Sequence, residues 1–62
     1  MGILQDLQEE IETVEELILR LQDDLGEIPN HPDLKYDLAE ALQLHDKLVG
    51  QKFLLQLRQR NA

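Results

Sequence analysis

Two histidines are the residues whose side chains could perform acid–base chemistry or bind a metal near neutral pH. His45 lies in a leucine-rich stretch, where a buried imidazole could act as a general base, a metal ligand or a pH switch. His31 stands fourteen residues earlier, so the two histidines do not share the spacing of a ligand pair. We expect His45 to be a core or interface side chain with one hydrogen-bond partner, and His31 to belong to a turn or helix cap.

The carboxylates of the chain have the wrong spacing for a metal centre. Carboxylate-bridged metal sites in helical bundles combine inward-facing Glu residues with Glu-x-x-His motifs on facing helices. No Glu stands three residues before either histidine, and Glu9, Glu12 and Glu16 have a helical spacing that falls outside the main apolar stripe. We expect these three residues to form a solvated acidic face, and we expect no bound metal or cofactor.

Residues suited to nucleophilic catalysis are scarce. The chain contains no serine and no cysteine, and its single threonine, Thr13, has no histidine at an obvious helical spacing. Gly2, Gly26 and Gly50 are isolated from one another, so no glycine-rich loop can cradle a phosphate. These absences predict that the chain is not an enzyme.

A short stretch of the second half nevertheless resembles a known catalytic motif. It has the sequence LQLHDKLV over residues 42–49, in which Gln43 and Asp46 match two positions of the signature Ser-Gln-Glu-Leu-Asp, while the other three positions differ. The stretch thus resembles the second helix of the short aspartyl-phosphate phosphatases of sporulating bacteria, which carries that signature. These phosphatases are also acidic helical hairpins. The resemblance implies an alternative function, namely a small aspartyl-phosphate phosphatase of a phosphorelay that uses Asp46.

The elements that would position these residues begin with a long amphipathic helix. Its apolar residues alternate three and four positions apart without exception, which is the heptad pattern of a helix that packs against other helices. The eight residues of this stripe are Leu4, Leu7, Ile11, Val14, Ile18, Leu21, Leu25 and Ile28. Because residues 3–25 contain no Gly or Pro, the pattern predicts a first helix from about Ile3 to about Leu25.

A turn over residues 26–31 should separate this helix from a second one. Gly26 suits the left-handed position just past a helix C-terminus, and Pro29 follows where a helix could not continue. Pro32 fits the first turn of a second helix, with Asn30 or His31 as the capping residue before it. The second helix should span residues 32 to about 59, so the chain forms a single domain of two helices.

The second helix has a broader and less regular apolar face. Its members are Leu34, Leu38, Ala41, Leu42, His45, Leu48, Val49, Lys52 and Leu55. A face of this width is expected to touch more than one neighbour. Gly50 interrupts the pattern, and we expect it to admit a close helix crossing, with a kink as the alternative. After it, Phe53, Leu54 and Leu57 point in several directions and require cover from another chain.

Charge is divided unequally between the two halves. Residues 1–31 carry nine acids and one base (1 − 9 = −8), and residues 32–62 carry five bases and four acids (5 − 4 = +1), which gives the net charge of −7. Such a charge disfavours direct binding to nucleic acid or to an anionic membrane surface. In an antiparallel hairpin, the bases Lys52, Arg58 and Arg60 should meet the acids Asp6, Glu9 and Glu10. The absence of cysteine and of a long apolar run is compatible with a soluble, cytoplasmic protein.

The sequence thus predicts an all-α fold, an antiparallel two-helix hairpin that dimerises into a four-helix bundle. The predicted oligomer interface consists of Leu7, Ile11, Val14, Ile18, Leu21, Leu38, Leu42, Leu48 and Leu55. The predicted partner-binding residues are Phe53, Leu54, Leu57, Glu9, Glu12 and Glu16. The expected function is a non-enzymatic regulatory or adaptor module that binds itself and a protein partner.

Two further hypotheses remain open beside this one and the phosphatase. An acidic inhibitor could mimic nucleic acid and occlude a basic groove of its target. The regular first helix also permits a designed or excised bundle without a natural partner, whereas the irregular second helix favours a natural origin.

Overall fold

The computed structural model describes residues 2–60, and these residues form two helices and a short connection. Helix α1 spans Ile3–Glu27 and helix α2 spans Pro32–Arg60. The two helices pack against each other, so the described part of the chain is an all-helical hairpin. Its longest dimension is 49 Å, and its other two dimensions are 18 and 13 Å.

Helix α1 ends two residues later than the sequence predicts. Gly26 lies inside the helix and does not have a positive φ, so the predicted left-handed cap is wrong. The chain leaves the helix at Ile28, where φ is −128° and the backbone N–H donates to the carbonyl of Asp24 at 2.9 Å. This hydrogen bond closes the last turn without a left-handed residue, and Pro29 has no N–H with which to extend it.

Helix α2 begins at Pro32 and is capped by His31. The Nδ1 atom of His31 accepts a hydrogen bond from the backbone N–H of Leu34 at 3.3 Å. The carbonyl of His31 also accepts the N–H of Lys35 at 3.2 Å, which is the first bond of the helical ladder. Of the two capping candidates, the histidine therefore occupies the cap, where its imidazole satisfies a backbone donor that the helix leaves free.

The core of the hairpin is a thin layer between the two helices. Its buried members are Ile11, Val14, Ile18, Leu21, Ala41 and Leu48, and Leu7, Leu34 and Leu38 pack against them. The predicted stripe of α1 accounts for most of this layer, although its eighth residue, Ile28, lies beyond the helix and is exposed. A layer this thin leaves every described side chain with some access to solvent.

Two side-chain contacts between the helices show their direction and register. His45 contacts Glu15, with 3.2 Å from Nε2 to Oε2, and the Lys52 ammonium donates to Gln8. The contacts are seven residues apart on each helix (15 − 8 = 7 and 52 − 45 = 7), and the order is reversed on α2. The helices are therefore antiparallel and keep a heptad register.

The same register shows which residues of α2 face α1. They are Leu34, Leu38, Ala41, His45, Leu48, Lys52 and Leu55, which are all buried or half-buried and alternate four and three positions apart. We call these residues, together with the apolar stripe of α1 from Leu4 to Leu25, the seam. Leu42 and Val49, which the sequence analysis placed on the same face, are exposed beside it.

Gly50 does not have the first of its predicted roles. A Cβ atom added at this position would meet no other atom within 4 Å, so Gly50 does not admit a close helix crossing. Helix α2 continues through Gly50, from Pro32 to Arg60. The residue is exposed on the outer surface, two positions from Leu48 and two from Lys52.

The predicted ion pairs at the open end of the hairpin, where α1 begins and α2 ends, do not form. Lys52 contacts the uncharged amide of Gln8, and the only acid–base contact within 4 Å among residues 2–60 is between His45 and Glu15. Exposed pairs of long side chains gain little free energy, so their absence does not weaken the hairpin. Neither described helix combines the length and apolar character needed to cross a bilayer.

Candidate interaction surface

The hairpin has two long sides, and each presents apolar residues beside the seam. Successive residues of a helix are about 100° apart, so the residue after a seam position points to one side and the residue before it to the other. Leu42 follows the seam residue Ala41, and Leu44 precedes the seam residue His45. We call the two surfaces the Leu42 side and the Leu44 side.

The Leu42 side has an apolar groove in its middle. Leu19 from α1 and Leu42 from α2 form its walls, and Ile18 lies at its floor. His45 and Glu15 complete the lining, and they are paired with each other. The lining of this groove therefore includes two exposed leucines and a single carboxylate, which already has a partner.

A second groove on the same side lies at the open end of the hairpin. Its apolar members are Leu4, Phe53 and Leu57, and its polar members are Gln56, Gln59 and Arg60. Val49 follows the seam residue Leu48 and lies between the two grooves along α2. Leu42, Val49 and Phe53 are all exposed, so the Leu42 side carries an apolar stripe along α2 that Asp46 interrupts between Leu42 and Val49.

The Leu44 side has apolar grooves with a rim of carboxylates. One groove is lined by Leu17, Leu21, Ala41 and Leu44 together with Asp37 and Glu40. The next groove toward the open end is lined by Val14, Leu44 and Leu48 together with Asp6, Glu9, Glu10 and Thr13. Five carboxylates and no basic side chain thus surround the apolar residues of these two grooves.

The carboxylates of the Leu44 side also affect the neighbouring tyrosine. The pKa of Tyr36 is raised above its ordinary value, first by the hydrogen bond to Glu40 and then by the negative charge of Glu40. Slight desolvation and the charge of Asp37 act in the same direction. The raised pKa of Tyr36 therefore reports mainly its interaction with Glu40, which disfavours the phenolate.

His45 is half-buried and has one hydrogen-bond partner, Glu15, in agreement with the expectation for this residue. Its position in the seam leaves it beside the groove of the Leu42 side rather than in an enclosed pocket. Among residues 2–60, no three His, Cys, Asp or Glu side chains are grouped so that they could hold a metal ion.

Most of the predicted oligomer-interface residues pack between the two helices of a single chain. Ile11, Val14, Ile18, Leu21 and Leu48 are buried between α1 and α2, and Leu7, Leu38 and Leu55 are half-buried. Leu42 is the one member of the predicted set that is exposed. A second copy could therefore reach Leu42 directly and the remaining residues only in part.

The predicted partner-binding residues are all exposed but do not form one surface. Phe53 and Leu57 share the groove at the open end, whereas Leu54 does not line it. Glu9 lines a groove of the Leu44 side, and Glu12 accepts a hydrogen bond from Gln8 at 3.4 Å. Glu16 is exposed and lines none of the four grooves.

Three leucines of the grooves were missed by the sequence analysis, namely Leu17, Leu19 and Leu44. Each stands directly before or after a seam residue, since Leu17 and Leu19 flank Ile18 and Leu44 precedes His45. A search for apolar residues next to each heptad position would have found Leu17 and Leu19. It would also have found Leu44, because His45 belongs to the predicted apolar face of α2.

The residues that resemble the phosphatase signature do not belong to any of these grooves. Gln43 and Asp46 are both exposed on α2, and neither side chain lines a described groove. Comparison with protein-family models, with curated proteins and with solved structures gives no match for this chain.

Proposed function

We propose that this chain is a non-enzymatic interaction module that self-associates, two hairpins forming a four-helix bundle, and that its acidic surface contacts a protein partner. The observation that carries the proposal is that more large apolar side chains are exposed than buried. The exposed ones are Ile3, Leu17, Leu19, Ile28, Tyr36, Leu42, Leu44, Val49, Phe53, Leu54 and Leu57, against six residues in the buried core.

Apolar exposure on this scale favours association. Burial of apolar surface contributes about 25 cal/mol per Å², and contiguous apolar patches on soluble proteins commonly mark contact surfaces. A chain of 62 residues has no disulfide to stabilise it, because it contains no cysteine. A second hairpin supplies the missing burial, and a four-helix bundle is the simplest closed arrangement of two such hairpins.

Self-association is tested by sedimentation equilibrium over a dilution series from millimolar to low micromolar concentration. The expected mass is that of two chains at high concentration, falling toward one chain on dilution, and the temperature of thermal unfolding should rise with concentration. A folded chain that keeps the mass of a monomer throughout the series would contradict the proposal.

The Leu44 side supports the second part of the proposal, contact with a protein partner. Leu17 and Leu44 offer an apolar groove, and the carboxylates around it attract basic groups. The partner chemistry that fits both features is an amphipathic helix with leucines on one face and Lys or Arg along its edges.

A synthetic helical peptide of leucine and lysine tests this partner chemistry by calorimetry. The double variant Asp37→Asn with Glu40→Gln should weaken its binding about tenfold, and rising salt should weaken it further. The matched control is Glu12→Gln with Asp46→Asn, which removes the same number of charges without touching the grooves of the Leu44 side and should change binding little. Equal weakening by both double variants would contradict a site at this groove.

The nucleic-acid mimic is the competing explanation for the acidic surface, and the same assay distinguishes it. A mimic recognises its target through charge alone, so a lysine peptide without leucines should bind as tightly as the amphipathic peptide. Under our proposal the peptide without leucines binds at least about tenfold more weakly, because it leaves Leu17 and Leu44 exposed.

A further inference from the structure

We infer that the second copy of this chain covers the Leu42 side, and that the two hairpins run in opposite directions, with their turns at opposite ends of the bundle. This inference rests on the proposed self-association and adds to it the surface and the orientation. It follows from two separate distributions of charge, one between the sides of the hairpin and one between its ends.

The two sides differ in the charge that self-association would bring together. The grooves of the Leu44 side are lined by five carboxylates and no base, so two copies packed through this side would place like charges against each other. The grooves of the Leu42 side are lined by one carboxylate, Glu15, and one guanidinium, Arg60. Glu12 and Asp46, which follow the seam residues Ile11 and His45, also point to the Leu42 side without lining its grooves. With three carboxylates against the five around the Leu44 grooves, the Leu42 side is the less repulsive surface for a copy of itself.

The Leu42 side also presents the longer apolar stripe. Leu42, Val49 and Phe53 are spaced by seven and four residues, which keeps them on one line along α2. Leu19 from α1 and Leu57 near the open end extend the stripe at its two ends. The carboxylate of Glu15 lies beside the stripe with His45 at 3.2 Å, so a second copy would not leave it without a partner.

The two ends of the hairpin differ in charge even more than its sides. The turn half, residues 15–46, carries nine acids and two bases, which gives 2 − 9 = −7. The open half, residues 1–14 and 47–62, carries four acids and four bases, which gives 4 − 4 = 0. The whole net charge of the chain is therefore concentrated near the turn.

Orientation follows from this asymmetry. Two hairpins that run in the same direction would place a half with charge −7 beside another half with charge −7, which is repulsive at moderate salt. Two hairpins that run in opposite directions place each turn half beside an open half. Two bases of that open half are placed toward the other copy, since Lys52 lies in the seam and Arg60 lines the groove of the Leu42 side at the open end.

The surface is tested with a matched pair of variants, Leu42→Gln and Leu44→Gln. The two leucines are 47% and 46% exposed in the hairpin, so either change should affect the fold of one chain to a similar, small extent. Leu42→Gln should raise the dissociation constant of the dimer at least about tenfold, whereas Leu44→Gln should change it less than about threefold. The reverse order, or equal effects, would overturn the assignment of the Leu42 side.

The orientation is tested by electron spin resonance distances between nitroxide labels. Since the chain has no cysteine, Tyr36→Cys and Ile3→Cys each give one label per copy, near the turn and near the open end respectively, at exposed positions that line none of the grooves. In hairpins that run in opposite directions, the two labels should be about 30 Å or more apart along the bundle at either position. Short distances of about 20 Å or less at both positions would show the same direction and overturn the inference.

The label experiment also separates failure of the orientation from failure of the proposed function. A dimer with short distances contradicts only the orientation, whereas the absence of any coupling between labels at concentrations up to millimolar means that no dimer forms. That second result would contradict the self-association on which the inference rests.

Discussion

Leu42 and Leu44 are two residues apart on α2 and almost equally exposed, yet they belong to surfaces of opposite character. Leu42 faces a groove in which the single carboxylate, Glu15, is paired with His45. Leu44 lies in two grooves whose rims carry five carboxylates. Apolar exposure alone would assign both surfaces the same role. In our proposal, the charge around each leucine distinguishes the surface for another copy from the surface for a basic partner.

The largest effect on stability is expected at the seam, which lies between the two sides. Ile18 is 9% exposed, so Ile18→Asp would bury a charge without a partner. The free-energy cost of burying that charge exceeds the roughly 3 to 5 kcal/mol of stability that the core of so small a domain supplies. The variant should be unfolded by far-ultraviolet circular dichroism.

The matched control for this substitution is the next residue. Leu19 is 66% exposed on the Leu42 side, so Leu19→Asp should keep the helical signal of a hairpin while it abolishes self-association. Unfolding of both variants, or of neither, would show that the seam and the Leu42 side are not separate layers.

The second prediction concerns the carboxylates that distinguish the sides. We expect the repulsion between these carboxylates to prevent the Leu44 sides of two molecules from packing against each other. The double variant Asp37→Asn with Glu40→Gln removes part of that repulsion, so the apolar residues of this side should then self-associate. Sedimentation should then detect species heavier than a dimer. The control double variant Glu16→Gln with Asp23→Asn removes two charges from the outer surface of α1, two positions away from the nearest seam residues. It should retain the mass of the parent, and an identical mass distribution for all three proteins would show that charge does not restrain this side.

The seam of α1 could be predicted from the sequence more sharply than that of α2. In α1 each of the seven seam positions is Leu, Ile or Val, so the heptad is visible without knowledge of the partner helix. In α2 the predicted face contains all seven seam residues, among them His45 and Lys52, but also Leu42 and Val49, which stand just outside the seam. Hydrophobicity favours these two residues, and only the register shown by the contacts of His45 with Glu15 and of Lys52 with Gln8 excludes them.

The turn shows a second reason why sequence patterns are incomplete. Glycine permits a left-handed cap but does not require one, and Gly26 remains helical because Ile28 closes the last turn through Asp24. Asn30 and His31 are both plausible caps in the sequence. The choice of His31 depends on the position of its ring relative to the N–H of Leu34, which the sequence does not contain.

The third prediction uses a position that faces neither side. Gly50 lies on the outer surface of α2, and a Cβ atom there would have free space, so Gly50→Ala should stabilise the helix by about 0.5 to 1 kcal/mol. The unfolding temperature should rise by several degrees while the dissociation constant of the dimer, determined by sedimentation, stays the same. A weaker dimer would mean that a second copy approaches Gly50 closely, which would place the interface outside the Leu42 side.

The smallest effect is expected at the tyrosine that interacts with Glu40 on the Leu44 side. Tyr36 is the single tyrosine and the chain has no tryptophan, so its phenolate can be titrated by ultraviolet absorbance without interference. Glu40→Gln removes the hydrogen bond to the carboxylate and the nearer negative charge, both of which raise the pKa of Tyr36, and should therefore lower that pKa toward its ordinary value. Asp37→Asn removes a weaker influence and should lower the pKa less. If neither substitution lowers it, the carboxylates of this side do not create the local negative field that distinguishes it from the Leu42 side.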